Sequence, residues 1–220
     1  MFAKKLSCIV LVALALGSSC KKSPLVAVQD DNGCISRIKR DYSDPNKTEL
    51  AAALKLLQDN HIATANQVVG GATLNDTITT NGPVHVMQHV FNQLYANNQP
   101  ILFAQVIYHF NNGIYQSTSG YLYNSVTLDT VPHTRLSQLR YVFMQEAKND
   151  GYAVTNKITS SCLVAEFGYL DISPDSHGQL VKAWRVTPPN QSYPLAMIRD
   201  DNGHLIYYTN GIMTLNKASH

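Results

Sequence analysis

Leu180–Ile212 reads LVKAWRVTPPNQSYPLAMIRDDNGHLIYYTNGI. It predicts three β-strands joined by two turns. In Leu180–Thr187, Leu180, Trp184 and Val186 share one face, with Lys182 interrupting them, and Val181, Ala183 and Arg185 share the other. That is an imperfect period of two in a β-rich composition. Pro188-Pro189-Asn190 ends the strand, because proline cannot donate to a ladder. Leu195–Ile198 is a second apolar run, and Asp200-Asp201-Asn202-Gly203 turns the chain, with Gly203 free to take a positive φ. His204–Tyr208 returns as the third strand.

Upstream, Ser161–Ile172 (SCLVAEFGYLDI) predicts another strand, with Pro174–Gly178 turning it into the stretch above. Before it, Leu136, Leu139, Phe143 and Ala147 form a helical stripe, with Thr134 or Ser137 as cap and Gly151 as stop. The middle of the chain predicts a β-meander: Val84–Leu94, Ile101–His109, Ile114–Ser119 and Tyr121–Leu128. Asn97–Pro100 separates its first two strands and Asn111-Asn112-Gly113 its second and third. Earlier still, Leu50, Ala53, Leu54 and Leu57 recur at helical spacing behind Thr48 as cap. Residues 66–81 hold a weaker strand, and Gly33–Ile38 holds a short one that docks the N-terminal segment. The fold class expected is α+β, with two consecutive helix-plus-antiparallel-sheet units.

The 220 residues are 45% apolar and 15% charged, a globular composition. The formal net charge is +2, and two of the positive charges, Lys4 and Lys5, lie in a segment expected to be removed. The mature chain is then near neutral, which argues against nucleic acid as a partner.

Lys4-Lys5, the apolar run Ile9–Leu16 and Gly17-Ser18-Ser19-Cys20 follow one another at the start. The apolar run is too short to span a bilayer. The pattern resembles a bacterial lipoprotein signal, which implies that Cys20 is lipidated and becomes the new N-terminus. The alternative is an ordinary secretory signal cut nearby. More than one acyl chain gives stable anchoring, so the expected location is the cell envelope, at the outer membrane on its periplasmic or surface side. Cys8 leaves with the signal. Cys34 and Cys162 remain in an oxidising compartment, either bridged or as two thiols.

Two further resemblances cover residues 46–215. Lys182-Ala183-Trp184-Arg185-Val186 and Asp200-Asp201-Asn202-Gly203-His204 resemble the strand and turn of the PepSY repeat. His89-Val90-Phe91-Asn92-Gln93, Asn98-Gln99-Pro100-Ile101 and Gln116–Gly120 are similar, in that order, to the fungalysin/thermolysin propeptide (FTP) motif. The lipoprotein-signal resemblance implies a signal at 1–19 and a lipidated tether at 20–45; the FTP and PepSY resemblances imply an FTP-like unit at 46–132 and a cystatin-like, PepSY-like unit at 133–220. The latter two also imply a zinc metallopeptidase as partner in trans, inhibited by this chain or assisted in folding by it. The alternative is an envelope interaction module with no peptidase partner.

Catalytic chemistry is not legible. His85 and His89 have the spacing of a zincin pair, but Val86 stands where the base would be. On a strand, residues four apart lie roughly 13 Å from one another, too far to share a zinc. They read as strand-surface histidines. No His-Glu-x-x-His is present, and no peptidase domain is expected to follow residue 215. Ser160-Ser161-Cys162 lacks a nucleophile elbow. The Asp200–Gly203 turn lacks the ligand spacing of a calcium loop. Trp184 reads as core, and Tyr193, Tyr207 and Tyr208 as cover for a sheet face or as an aromatic patch. The expectation is a non-enzyme with no catalytic, cofactor or metal residues.

Overall fold

The computed structural model describes residues 33–79, 82–123, 126–150, 162–173 and 178–211. Along the chain lie β1 (Ile35–Ile38), α1 (Lys47–Asp59), β2 (Gln67–Ile78), β3 (His85–Ala96), β4 (Gln99–Asn111), β5 (Ile114–Ser119), α2 (Leu136–Asn149), β6 (Leu163–Asp171), β7 (Leu180–Thr187), β8 (Leu195–Arg199) and β9 (Leu205–Thr209).

These elements do not form two helix-plus-antiparallel-sheet units, and the expected fold class is corrected on that point. All nine described strands belong to one mixed sheet, in the order β2-β3-β4-β6-β7-β8-β9, with β1 also on β6 and β5 also on β4. Two short helices accompany it among the described residues. The join is parallel. β4 meets β6 at the register pair Ile101↔Tyr169, and β1 runs beside the first half of β6 from Ile35↔Leu163 to Ile38↔Glu166.

The physical reason for the merger lies in one residue and one strand length. β4 runs 13 residues, so its second half pairs with β5 while its first half is left to reach β6. Gly168 of β6 then permits close approach: a Cβ there would stand 2.5 Å from the Pro100 carbonyl oxygen and 3.0 Å from Leu102. Antiparallel hairpins are readable from their turns; a parallel pair bridged by α2 leaves no turn signal.

Two cores sit against the helices. Ala53 and Leu57 of α1 pack on Val69, Val90, Val106, Tyr108 and Phe110. Leu139, Phe143 and Ala147 of α2 pack on Phe167, Trp184, Val186 and Ile198. Leu54 is exposed, so the α1 stripe is narrower than its spacing predicts. Asn46, not Thr48, caps α1, its side chain accepting from the backbone of Thr48 and Glu49. Neither Thr134 nor Ser137 caps α2: Arg135 holds that position without a side-chain bond. Gly151 lies outside the described residues.

Of the turns, Asn97-Asn98 and Asn112-Gly113 both take positive φ, closing β3–β4 and β4–β5 as tight hairpins. Tyr121–Leu128 is not a strand among its described residues. Side chains hold its carbonyls instead: Asn97 donates to Val126 and Leu128, and Tyr169 donates to Leu128 and Asp129.

Candidate functional site: a cationic cleft where β1 gives way to β4

β1 and β4 share one edge of β6. β1 ends at Ile38, opposite Glu166, and β4 takes up the pairing at Ile101, opposite Tyr169. Between them opens a cleft of about 350 Å³, lined by Arg37, Lys39, Arg40, Tyr95, Gln99 and Glu166, among others. A volume of that size falls within the range of small ligand pockets.

At its base is Glu166, with a side chain only 3% exposed. Its Oε2 lies 3.4 Å from Arg40 Nε and 3.6 Å from Nε of Arg185, its cross-strand partner on β7. Tyr42 stands beside it. Burial pushes the Glu166 carboxyl above its ordinary range, while Arg185, Tyr42 and Arg40 pull the other way without reversing it. Burial also raises the Tyr42 hydroxyl, and the Glu166 charge adds to that. The Arg40 guanidinium is lowered, first by burial and then by Arg185. These directions describe two cations packed around one desolvated anion.

The surroundings extend the cluster. The Arg37 guanidinium lies 5.6 Å from the ring centres of both Phe167 and Trp184. Arg185 lies 5.7 Å from the ring centre of Phe103. Phe103 is half exposed and has φ 63°, a left-handed conformation that costs a bulky residue on the order of 1–3 kcal/mol. Stored strain and an exposed aromatic beside a charge cluster mark a place where structure is not optimised for stability alone.

Sequence reading brought only part of this into view. Cys34 and Cys162 form a disulfide. It ties the start of β1 to the start of β6, and so holds the Arg37–Arg40 segment over the cleft. Cys20, the proposed lipidation site, lies outside the described residues, as do Ser160 and Ser161. Tyr193 and Tyr207 are exposed, but Tyr208 packs towards Phe143 of α2, so the three tyrosines share no face. Asp200 is more than a turn residue: it is buried beneath Trp184. Arg40 and Tyr42 lie together just after β1 and Glu166 lies far along the chain on β6, and they carry no local pattern that would single them out.

His85 and His89 are separated along β3, as expected. Across the ladder, however, His89 faces His109 of β4. Their Nδ1 atoms are 2.8 Å apart, and His109 Nε2 is 2.8 Å from Ser119 Oγ on β5. No group of three or more His, Cys, Asp and Glu among the described residues is placed to hold a metal. No helix among them is long and apolar enough to cross a membrane.

Comparison with models of protein families and with curated proteins gives no match for this chain.

Proposed function

We propose that the protein is a non-catalytic, lipid-anchored protein of the cell envelope that binds another protein through the cleft. An acidic side chain or a chain-terminal carboxylate of the partner enters between Arg37, Lys39 and Arg40. One observation carries this reading: three cations rim an opening whose single lining carboxylate among the described residues, Glu166, is already engaged by two arginines. Glu166 pre-organises Arg40 and Arg185, which lowers the entropy lost when an anion arrives. Guanidinium groups suit carboxylates because their fork of donors matches two oxygens.

The propeptide resemblance makes a thermolysin-like zinc metallopeptidase the partner to try first, with inhibition or assisted folding as the consequence. The exposed edge of the cleft, rather than a reactive group, supports binding over turnover. The test is calorimetric titration of the full chain in detergent micelles with an acidic peptide bearing a free C-terminal carboxylate, and with its neutral amidated form. The acidic peptide binds and the neutral one does not. Lys39→Glu with Arg40→Glu abolishes the difference. Equal binding of both peptides sinks the cleft as an anion site. Sustained hydrolysis of peptide or ester substrates that Ser119→Ala removes would make the protein an enzyme.

A further inference from the structure

His89 and His109 occupy the face of β3 and β4 turned away from α1. Alternation places their neighbours Val90 and Tyr108 in the core and the two imidazoles on the opposite side. Both rings are half-buried and lie nearly perpendicular, with centres 4.9 Å apart. Their Nδ1 atoms stand 2.8 Å apart.

We propose that His89 and His109 form a two-imidazole site for a tetragonal divalent ion, copper(II) first among them. With metal–nitrogen bonds of about 2.0 Å, ligands at right angles lie about 2.8 Å apart, whereas tetrahedral neighbours lie about 3.3 Å apart. The hydrogen bond between the rings sets the present separation of 2.8 Å, which two adjacent corners of a square would keep once both rings turn their lone pairs to the ion. Copper(II) also heads the affinity order for nitrogen ligands.

The second ring nitrogen of His109 is already oriented. Its Nε2 lies 2.8 Å from Ser119 Oγ. With Nε2–H donating to that oxygen, Nδ1 of His109 keeps its lone pair for a metal, the arrangement in which an outer partner fixes the ligand's tautomer. The proton between the two Nδ1 atoms then belongs to His89. On binding it moves to Nε2 of His89, so that Nδ1 of each ring offers a lone pair to the ion. Water fills the remaining positions. His85, one helical-looking step away in sequence, is engaged with Asn111 at 3.3 Å and takes no part.

Copper(II) is the probe, added to the full chain in detergent micelles and followed by calorimetry against a weak competing chelator. Electron paramagnetic resonance is recorded on the same samples. The expected result is one ion per chain, an axial spectrum and hyperfine splitting from two nitrogens. His89→Ala and His109→Ala each weaken binding by at least about tenfold, His85→Ala leaves it unchanged, and Ser119→Ala weakens it by about tenfold. His109→Gln, checked by circular dichroism, guards against loss of fold. Wild-type affinity in a folded His109→Gln chain, or a spectrum without two coupled nitrogens, overturns the site.

Discussion

The indole Nε1 of Trp184 donates to Oδ1 of Asp200 at 2.8 Å, and both side chains are buried. The same carboxylate accepts from the backbone N–H groups of His133 and Thr134 and stands 3.4 Å from Lys182 Nζ. Lys182 reaches on to Asp129 and the Val131 carbonyl. Asp200 thus fastens the segment that leads into α2 onto the sheet, and every group it holds would be left without this acceptor in its absence.

Trp184→Ala removes a buried indole and is expected to cost about 3–5 kcal/mol. Asp200→Ala strands buried donors and is expected to cost a similar amount, about 3–5 kcal/mol. Because the two share a bond, their effects are non-additive. Denaturant titration of the two single variants and the double variant checks this. A loss below about 1 kcal/mol for Trp184→Ala would place the indole outside the core.

Gly168→Ala tests the join between β4 and β6. The added methyl meets the Pro100 carbonyl oxygen, which is backbone and cannot swing away. The expected cost is about 1–3 kcal/mol, with faster amide exchange along the first half of β4. Unchanged stability and exchange would mean that the strands do not approach as closely as this.

Local elements were legible because they rest on local chemistry. Leu180–Thr187 is a strand of the expected bounds, and Asn111-Asn112-Gly113 turns as its residue types require. Leu139, Phe143 and Ala147 lie on the buried stripe of α2. The single sheet was not legible. It depends on β4 outrunning its hairpin partner and on Gly168 admitting a parallel neighbour, and neither feature has a sequence period. Lys182 looked like a flaw in an apolar face, yet it is a buried cation with three oxygen partners nearby. Of the cleft, only the Cys34–Cys162 possibility was visible; the rim and Glu166 converge from β1 and the residues after it, the end of β3, the start of β4, and β6.

Glu166 makes stability depend on pH in a definite direction. Its folded-state value is raised above 4.5, the ordinary one, so the native state holds the proton more tightly than the unfolded chain. The contribution is fully present below 4.5 and is lost as pH rises through the higher folded value. Glu166→Gln carries no such dependence. Its stability relative to wild type therefore improves as pH rises from about 4 towards neutral. Parallel pH profiles for the two chains would show that Glu166 is not perturbed.

Cys34→Ala opens a bridge spanning a sequence separation of 128 residues and is expected to cost about 2–5 kcal/mol. It also frees the start of β1, so acidic-peptide binding should weaken along with stability. Stability loss with unchanged binding would detach the disulfide from the cleft.

Surface-binding measurements with purified thermolysin-like metallopeptidases from the same cell test whether the protein binds a peptidase through the cleft. Wild-type full chain in detergent micelles is compared with the Lys39→Glu, Arg40→Glu variant after both are shown to be folded. Wild type is expected to bind at least one peptidase saturably, with binding weakened by at least about tenfold on charge reversal. Equal binding by both chains, or none to any peptidase of that cell, would contradict that expectation.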